Sequence, residues 1–444
     1  MWRLNWPQPN THWSLPMAQG AYIGIFYLCS EVVVVRSLFI WSLVIAVAAC
    51  SFFLFEPVFR WNMGWQNLPS RDITTGTSQA HSDRYAKALT AADQHINGIY
   101  LSGDYPGLSI AIGHQQELIW TKTIGFRNIA EGQPLRPDTP MRIGSTAKPI
   151  TATLAAILVD REQLGLDQSI DGYIDYLSPE LGAITMRQLL SHTAGIRNYG
   201  VCVCFPIWEI HSKKAYATVK QSIEHFSGAP LLFAPGSEFS YSSYGYVLAS
   251  GALEGVGDTQ FGSLLLRHVF IPLGMKDTSL DLINHPSSPA DIIAATPYEV
   301  EGGRYKTAFP VSNSNKYAGG GMLSTAQDLV RLGFAWTGGA RISEETRQIF
   351  LQPQMLSDST DNPQFYALGW RNAISEKMFG GKKPVRIIHH GGTGAGGTAF
   401  LVIFPDYDLV IAIITNRSMD SSGALFDVVI PIAENLIEEL ETGN

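Results

Sequence analysis

The chain has 444 residues and a mass of 48.6 kDa, enough for one large mixed domain or two average ones. Hydrophobic residues make up 45% and charged residues 16%, against a charged share of roughly 25% in an average soluble protein, so the chain can bury a sizeable core and disorder is excluded as its main state. The net charge of −8 and pI of 5.8 argue against the basic face that nucleic-acid binding requires.

Near the N-terminus, Ser37 to Phe55 form an uncharged run of 19 residues. At 1.5 Å per residue this spans about 30 Å of hydrocarbon. No polar stripe interrupts it, as a buried core helix would show. The 36 residues before it favour a retained single-pass anchor over a signal peptide. Val47-Ala48-Ala49-Cys50 resembles a lipoprotein cleavage site, but the apolar run continues past Cys50. Arg36 precedes the run while Arg60 and Arg71 follow it, so flanking charge gives no orientation. The expected organisation is an N-terminal tail over 1–36, an anchor over 37–55, a polar tether over 56–80 and one domain over 81–444.

Within that domain, Gly107 to Gly113 and Glu117 to Ile124 read as strands, joined by a turn at His114, Gln115 and Gln116. Helical patterns follow over 145–161, 241–255 and 324–336. For the last, Ser324 and Gln327 have capping-box spacing. Val385 to Ile388, Thr398 to Phe404 and Leu409 to Thr415 read as three more strands, with Pro405 to Asp408 as a hairpin turn. A closing helix over 422–440 places Leu425, Val428, Val429, Ile432 and Leu436 on one face. Strands at both ends of the domain with helices between them predict an α/β (α+β) fold, whose antiparallel sheet is completed by both chain ends and flanked by an inserted helical subdomain.

The common hydrolase and nucleotide signatures are absent: no G-x-S-x-G, no H-E-x-x-H, no P-loop and no dinucleotide fingerprint occur. Ser145-Thr146-Ala147-Lys148 stands directly before an apolar helical run. Serine and lysine at i and i+3 share a helix face. Free N–H groups at the helix start favour negative charge on the serine oxygen. A desolvated lysine beside it loses basicity and can accept a proton. Pro149 cannot donate to the Ser145 carbonyl, so the helix starts at about that serine. Two later segments add candidates. Tyr241-Ser242-Ser243 supplies a tyrosine that neighbouring ammonium groups would push toward phenolate. His389-His390-Gly391-Gly392-Thr393-Gly394 supplies glycines that allow backbone N–H groups close to a substrate.

These segments, in this order, resemble the serine β-lactamase and D,D-peptidase superfamily, in particular the branch of class C β-lactamases, family VIII esterases and D-aminopeptidases. They are similar also to the mitochondrial serine β-lactamase-like proteins and their bacterial relatives. Met141 to Gly144, Leu189 to Gly195 and Ala318 to Thr325 share it. The resemblance implies an acylated Ser145, activated by Lys148, with Tyr241 moving the proton to the leaving group. Ser243 would orient substrate or Lys148. His389 would stand where true lactamases carry a lysine, and Gly391 and Gly392 would line the substrate and oxyanion side. The oxyanion donors would be the N–H groups of Ser145 and Gly392.

Two departures bear on activity. Ser243 replaces the usual asparagine, and His389 replaces the lysine; both count against an efficient penicillinase. No Glu-x-x-x-Asn segment of the class A type occurs. The expected function is therefore a membrane-anchored serine hydrolase of peptidase or esterase type, acting on a small molecule or peptide from the extracytoplasmic side. The alternative is a penicillin-binding sensor or scaffold with little turnover. No cofactor, metal or nucleic-acid partner is expected, and the oligomeric state is left open. His192 reads as a loop hydrogen-bonding residue and Gly319 to Gly321 as a turn near the pocket rim. Cys202 and Cys204 read as free thiols, because a C-x-C disulfide closes only with strain and two local ligands do not make a metal site.

Overall fold

A computed structural model describes residues 35–52, 55, 62–82, 84–201, 208–283, 293–339 and 341–443. The chain divides into two units, Met1–Gly64 and Trp65–Asn444. In the first, Val35–Phe52 is an 18-residue helix, none of it buried, long and apolar enough to cross a membrane.

The second unit is built on seven strands: β1 (Thr77–Ala80), β2 (Gly107–His114), β3 (Glu117–Asn128), β4 (Arg371–Ser375), β5 (Val385–Gly394), β6 (Gly397–Phe404) and β7 (Leu409–Thr415). They lie side by side in the order β4-β5-β6-β7-β2-β3-β1, with Gln133–Pro134 added to the end of β3. Every neighbouring pair is antiparallel. β7, from the C-terminal end, pairs with β2 from the N-terminal end, so both ends complete one sheet. The β2–β3 hairpin turns on Gln115 and Gln116, both at positive φ (52° and 66°), the backbone twist that suits a two-residue hairpin.

Five helices matter for the site: α1 (Ala86–Ser102), α2 (Ala147–Asp160), α3 (Ser243–Gly257), α4 (Ala326–Thr337) and α5 (Gly423–Thr442). Strand side chains alternate between two cores. Ile110, Ile112, Val402, Phe404, Ile411 and Ile413 pack with residues of α1 and α5. Ala111, Leu401, Ile403, Val410, Ala412 and Ile414 pack with residues of α2, α3 and α4. Burial on both faces explains why β7 reads as an unbroken apolar run.

Several boundaries differ from the sequence expectation. The polar stretch over 56–80 is not a tether at its C-terminal end. Gln66–Asn67 pairs with Arg304–Thr307, and β1 adds to the edge of β3. β1 is exposed throughout, which is why it carries no apolar signal. Helix α4 is capped by Thr325, whose hydroxyl accepts from Asp328 N. Ser324 is held extended by pairing with Met141. The glycine-rich segment after Ile388 is not a loop but the second half of β5. The structure adds α1, β1 and β4 to the expected elements.

A buried ion pair fixes the approach to α2. Arg142 Nε lies 2.7 Å from Asp281 Oδ2, Arg142 Nη1 donates to Ala395 O at 2.8 Å, and Asn313 Nδ2 donates to the same Asp281 oxygen at 2.5 Å. Removing one partner strands the other charge in the interior. Asp281→Ala is expected to cost about 3–5 kcal/mol in a denaturant titration of the full chain; a loss under 1 kcal/mol would contradict this role.

Candidate active site

Ser145 sits in a short 3-10 turn, Gly144–Thr146, that runs directly into α2. Gly144 adopts φ +51°, and a Cβ there would fall 2.5 Å from Thr393 O. Only glycine allows this turn to press against β5. Gly392 is the reciprocal contact: its Cβ would lie 2.5 Å from the backbone nitrogens of both Ser145 and Thr146. The turn and the strand thus meet backbone to backbone at the serine.

Lys148, the second residue of α2, is fully buried. Its Nζ lies 3.2 Å from Ser145 Oγ, 3.0 Å from Ser243 Oγ and 2.6 Å from Gly319 O. Burial, with Arg371 adding repulsion, holds this amine well below its ordinary range. The Gly319 carbonyl comes from a turn in which the N–H groups of Gly319, Gly320 and Gly321 all donate to Lys316 O (2.9, 2.7 and 2.8 Å). The three glycines thus form the expected turn, and it carries the acceptor of Lys148.

Tyr241 precedes α3 rather than starting it. The helix is capped by Ser242, whose Oγ accepts from Gly245 N at 3.1 Å. Lys148 Nζ lies 4.7 Å from the centre of the Tyr241 ring. The phenol is not pushed toward phenolate. Burial raises it to about 12, outweighing Ser145 and Arg371, which both lower it. Ser243 N donates to Asn198 Oδ1 at 3.2 Å, which turns Ser243 Oγ toward the lysine.

One register expectation is corrected. His389 does not face Ser145. Its ring stacks on Phe400 and Phe426, with centroids 5.3 and 6.4 Å away, and burial pushes it down to about 3. Gly391 shares that face, where a Cβ would strike Ser422. His390 and Gly392 point the other way, because successive strand residues alternate. His390 is buried, its Nε2 2.9 Å from the Tyr366 hydroxyl and its ring 6.4 Å from Tyr241. Burial holds it well below the usual imidazole range, so it is neutral.

Four contributors were not singled out in the sequence: Asn198, Tyr246, Tyr366 and Arg371. Rings of Tyr366 and Tyr246 enclose His192 at 4.5 and 5.3 Å, and His192 lies 4.2 Å from the Tyr241 ring. His192 Nδ1 accepts from Ser242 N at 3.1 Å, a loop-fixing role as expected. Arg371 Cζ lies 5.7 Å from the Tyr241 ring centre and 5.2 Å from that of Tyr366, giving the site a permanent positive charge. No sequence motif marks it; only the pairing of β4 with β5 brings it there. Cys202 and Cys204 lie outside the described residues. Among the described residues, no cluster of three His, Cys, Asp or Glu is arranged to hold a metal ion.

Residues 83–427 match the beta-lactamase family. The chain belongs to that family. This member is 22% identical over 412 residues to the serine beta-lactamase-like protein LACTB, mitochondrial, of Bos taurus, covering 73% of each chain. It is 22% identical over 315 residues to penicillin-binding protein 4* of Bacillus subtilis, covering 69% of this chain and 67% of that one. The D-amino acid amidase of Ochrobactrum anthropi SV3, solved with D-phenylalanine, superposes with a TM-score of 0.64 at 20% identity, over 82% of this chain and 100% of that one. The fold is thus the β-lactamase/transpeptidase-like fold, and the superfamily is one of serine hydrolases.

The alternation on β5 has a direct consequence. His390→Leu removes the hydrogen bond between His390 Nε2 and the Tyr366 hydroxyl, at about 0.5–1.5 kcal/mol, and is expected to slow labelling of Ser145 by a fluorophosphonate about tenfold or more. His389→Leu keeps an apolar side chain in the Phe400 and Phe426 stack and should label within about threefold of wild type. The reverse ranking would show that the register assignment is wrong.

Proposed function

We propose that the chain is a membrane-anchored serine hydrolase that cleaves an amide or ester through an acyl-enzyme at Ser145. The observation that carries this reading is the buried Lys148 amine, 3.2 Å from Ser145 Oγ and tied at Ser243 Oγ and Gly319 O. A neutral amine has two N–H donors and one lone pair. Donating to Ser243 and Gly319 leaves the lone pair for the Ser145 O–H, the disposition of a general base. The penicillin-binding protein and the amidase among the matched proteins, by their names, support lactam, amide or ester chemistry on a small molecule or peptide. Val35–Phe52 would hold the domain at a membrane, on the extracytoplasmic side.

The steps follow from these positions. Lys148 takes the Ser145 proton as Oγ attacks the substrate carbonyl. The N–H groups of Ser145 and of the Gly392–Thr393 segment hold the resulting oxyanion. The Tyr241 hydroxyl gives a proton to the leaving group as the scissile bond breaks, and Lys148 returns a proton to Tyr241. Water then repeats the attack on the acyl-enzyme with the same base, and Ser145 regains its proton. Because burial keeps Tyr241 protonated at neutral pH, the resting base is the amine and the tyrosine is the relay.

One observation favours a second reading, a covalent penicillin-binding sensor or scaffold with little turnover. Ser243 offers a hydroxyl where the family resemblance implies an amide, and the histidine on this face of the strand, His390, is held neutral by burial, while His389, expected in the lysine's place, faces away. Both thin the polar set that would drive deacylation.

Intact mass after exposure to a fluorophosphonate, a penicillin and an activated p-nitrophenyl ester, beside Ser145→Ala, decides between them. A hydrolase gives a Ser145-dependent fluorophosphonate adduct and steady nitrophenol release. A sensor keeps a stable acyl mass with penicillin. No adduct in a folded chain would sink the hydrolase and the sensor and leave the scaffold. Lys148→Ala is expected to lower the acylation rate by about 10²–10⁴.

The pH dependence has a defined sign. The active form carries a neutral Lys148, so acylation rises with pH and levels off well below the ordinary lysine value of 10.5. Arg371 depresses this amine, so Arg371→Gln should move the acid limb to higher pH. An acid limb that stays in place in this variant would contradict the electrostatic role.

A further inference from the structure

Lys316 is a further buried lysine, 6% exposed, which the steps above do not use. Its Nζ donates to Ile210 O at 2.5 Å and to Asn313 Oδ1 at 3.3 Å. It lies 5.7 Å from the ring centre of Tyr199, the neighbour of the Asn198 that accepts from Ser243 N. Its own carbonyl gathers the three glycine N–H groups of the turn whose Gly319 carbonyl receives Lys148. Gly320 of that turn faces the nucleophile: a Cβ there would lie 3.5 Å from Gly144 C and 3.8 Å from Ser145 N. Asn313, in turn, is bound to the Arg142–Asp281 pair. One residue therefore connects three parts of the site: the turn that carries the lysine's acceptor, the Glu209–His211 turn, and the ion pair that fixes the entry to α2.

We propose that Lys316 is a positioning residue for acyl transfer: its buried amine, tied to Ile210 O and Asn313 Oδ1, fixes the Gly319–Gly321 turn and thereby the carbonyl that orients Lys148. This rests on the reading that Ser145 and Lys148 carry the reaction. An apolar residue of the same length would fill the space with less desolvation, so the amine is not the natural choice for packing alone. The groups facing it are Arg142 and Asp281 across the ion-pair network, His211 on the Glu209–His211 turn, and the Tyr199 ring. Burial, with Arg142 adding and Asp281 opposing, pushes Lys316 down to about 7.

The test uses the full chain and a fluorophosphonate as the probe, with wild type, Ser145→Ala, Lys316→Met and Lys316→Gln compared well below their melting temperatures. Lys316→Met is expected to lower the second-order rate of Ser145 labelling by roughly tenfold to hundredfold, the scale of a small misplacement of catalytic groups. Its acid limb should shift to lower pH, because a displaced Gly319 carbonyl no longer stabilises the Lys148 ammonium. Amide hydrogen exchange across Gly319–Gly321 should quicken. Lys316→Gln retains a donor for Ile210 O and should recover part of the rate; it also serves if the methionine variant does not fold. A wild type that takes a Ser145-dependent adduct while both folded variants label at the same rate, with an unmoved acid limb, overturns this proposal alone. A wild type that takes no adduct overturns the acyl-transfer reading and this proposal with it.

Discussion

The site depends on one buried amine. Lys148 is removed from water and left with three oxygen neighbours: one on the nucleophile, one at the start of α3 and one on a glycine turn. Burying an ammonium without a counter-ion is costly, and the interior answers by favouring the neutral form. No carboxylate pairs with Lys148 among the described residues. Arg371, half-buried across the aromatic cluster, raises the cost of protonation further. The same desolvation that favours the neutral amine keeps Tyr241 and His390 neutral. A single physical condition, exclusion of water beneath Ser145, thus sets three protonation states.

The surrounding architecture keeps that amine in place. The sheet meets α2 at Gly144 and Gly392, where absent side chains let backbone approach backbone. The Arg142–Asp281 pair holds the approach to the nucleophile turn from below. His192, Tyr246 and Tyr366 form an aromatic wall behind Tyr241, with the Tyr246 hydroxyl tied to Leu190 O at 2.8 Å. These contacts come from segments far apart in the chain, so the site is a product of tertiary packing and not of any one element.

Membership of the beta-lactamase family leaves the chemistry of this member open to its own substitutions. Around the Lys148 amine and the Tyr241 ring stand the Ser243 hydroxyl, a neutral His390 and the Arg371 cation from the neighbouring strand. Asn198 spends its side-chain carbonyl on the Ser243 backbone.

Much of this was legible from residue order. Ser145 and Lys148 at i and i+3 before an apolar run, the apolar runs of β2, β6 and β7, and the periodic face of α5 are local patterns, and local sterics fix them. The polar edge strands β1 and β4 carried no such signal, because neither buries a continuous apolar face. Which of two adjacent histidines faces the serine was not a local property: a slip of one residue reverses every side chain of a strand, and only the packing of Phe400 and Phe426 against one face of β5 decided it. The protonation of Tyr241 was likewise misread, since charge neighbours can be guessed from a motif but desolvation cannot. Arg371 and Lys316 belong to the site only because strand pairing and a glycine turn bring them there. The sequence by itself determined the serine–lysine pair ahead of α2 and the order of the apolar elements; the tertiary structure decided which faces meet and which groups lose their water.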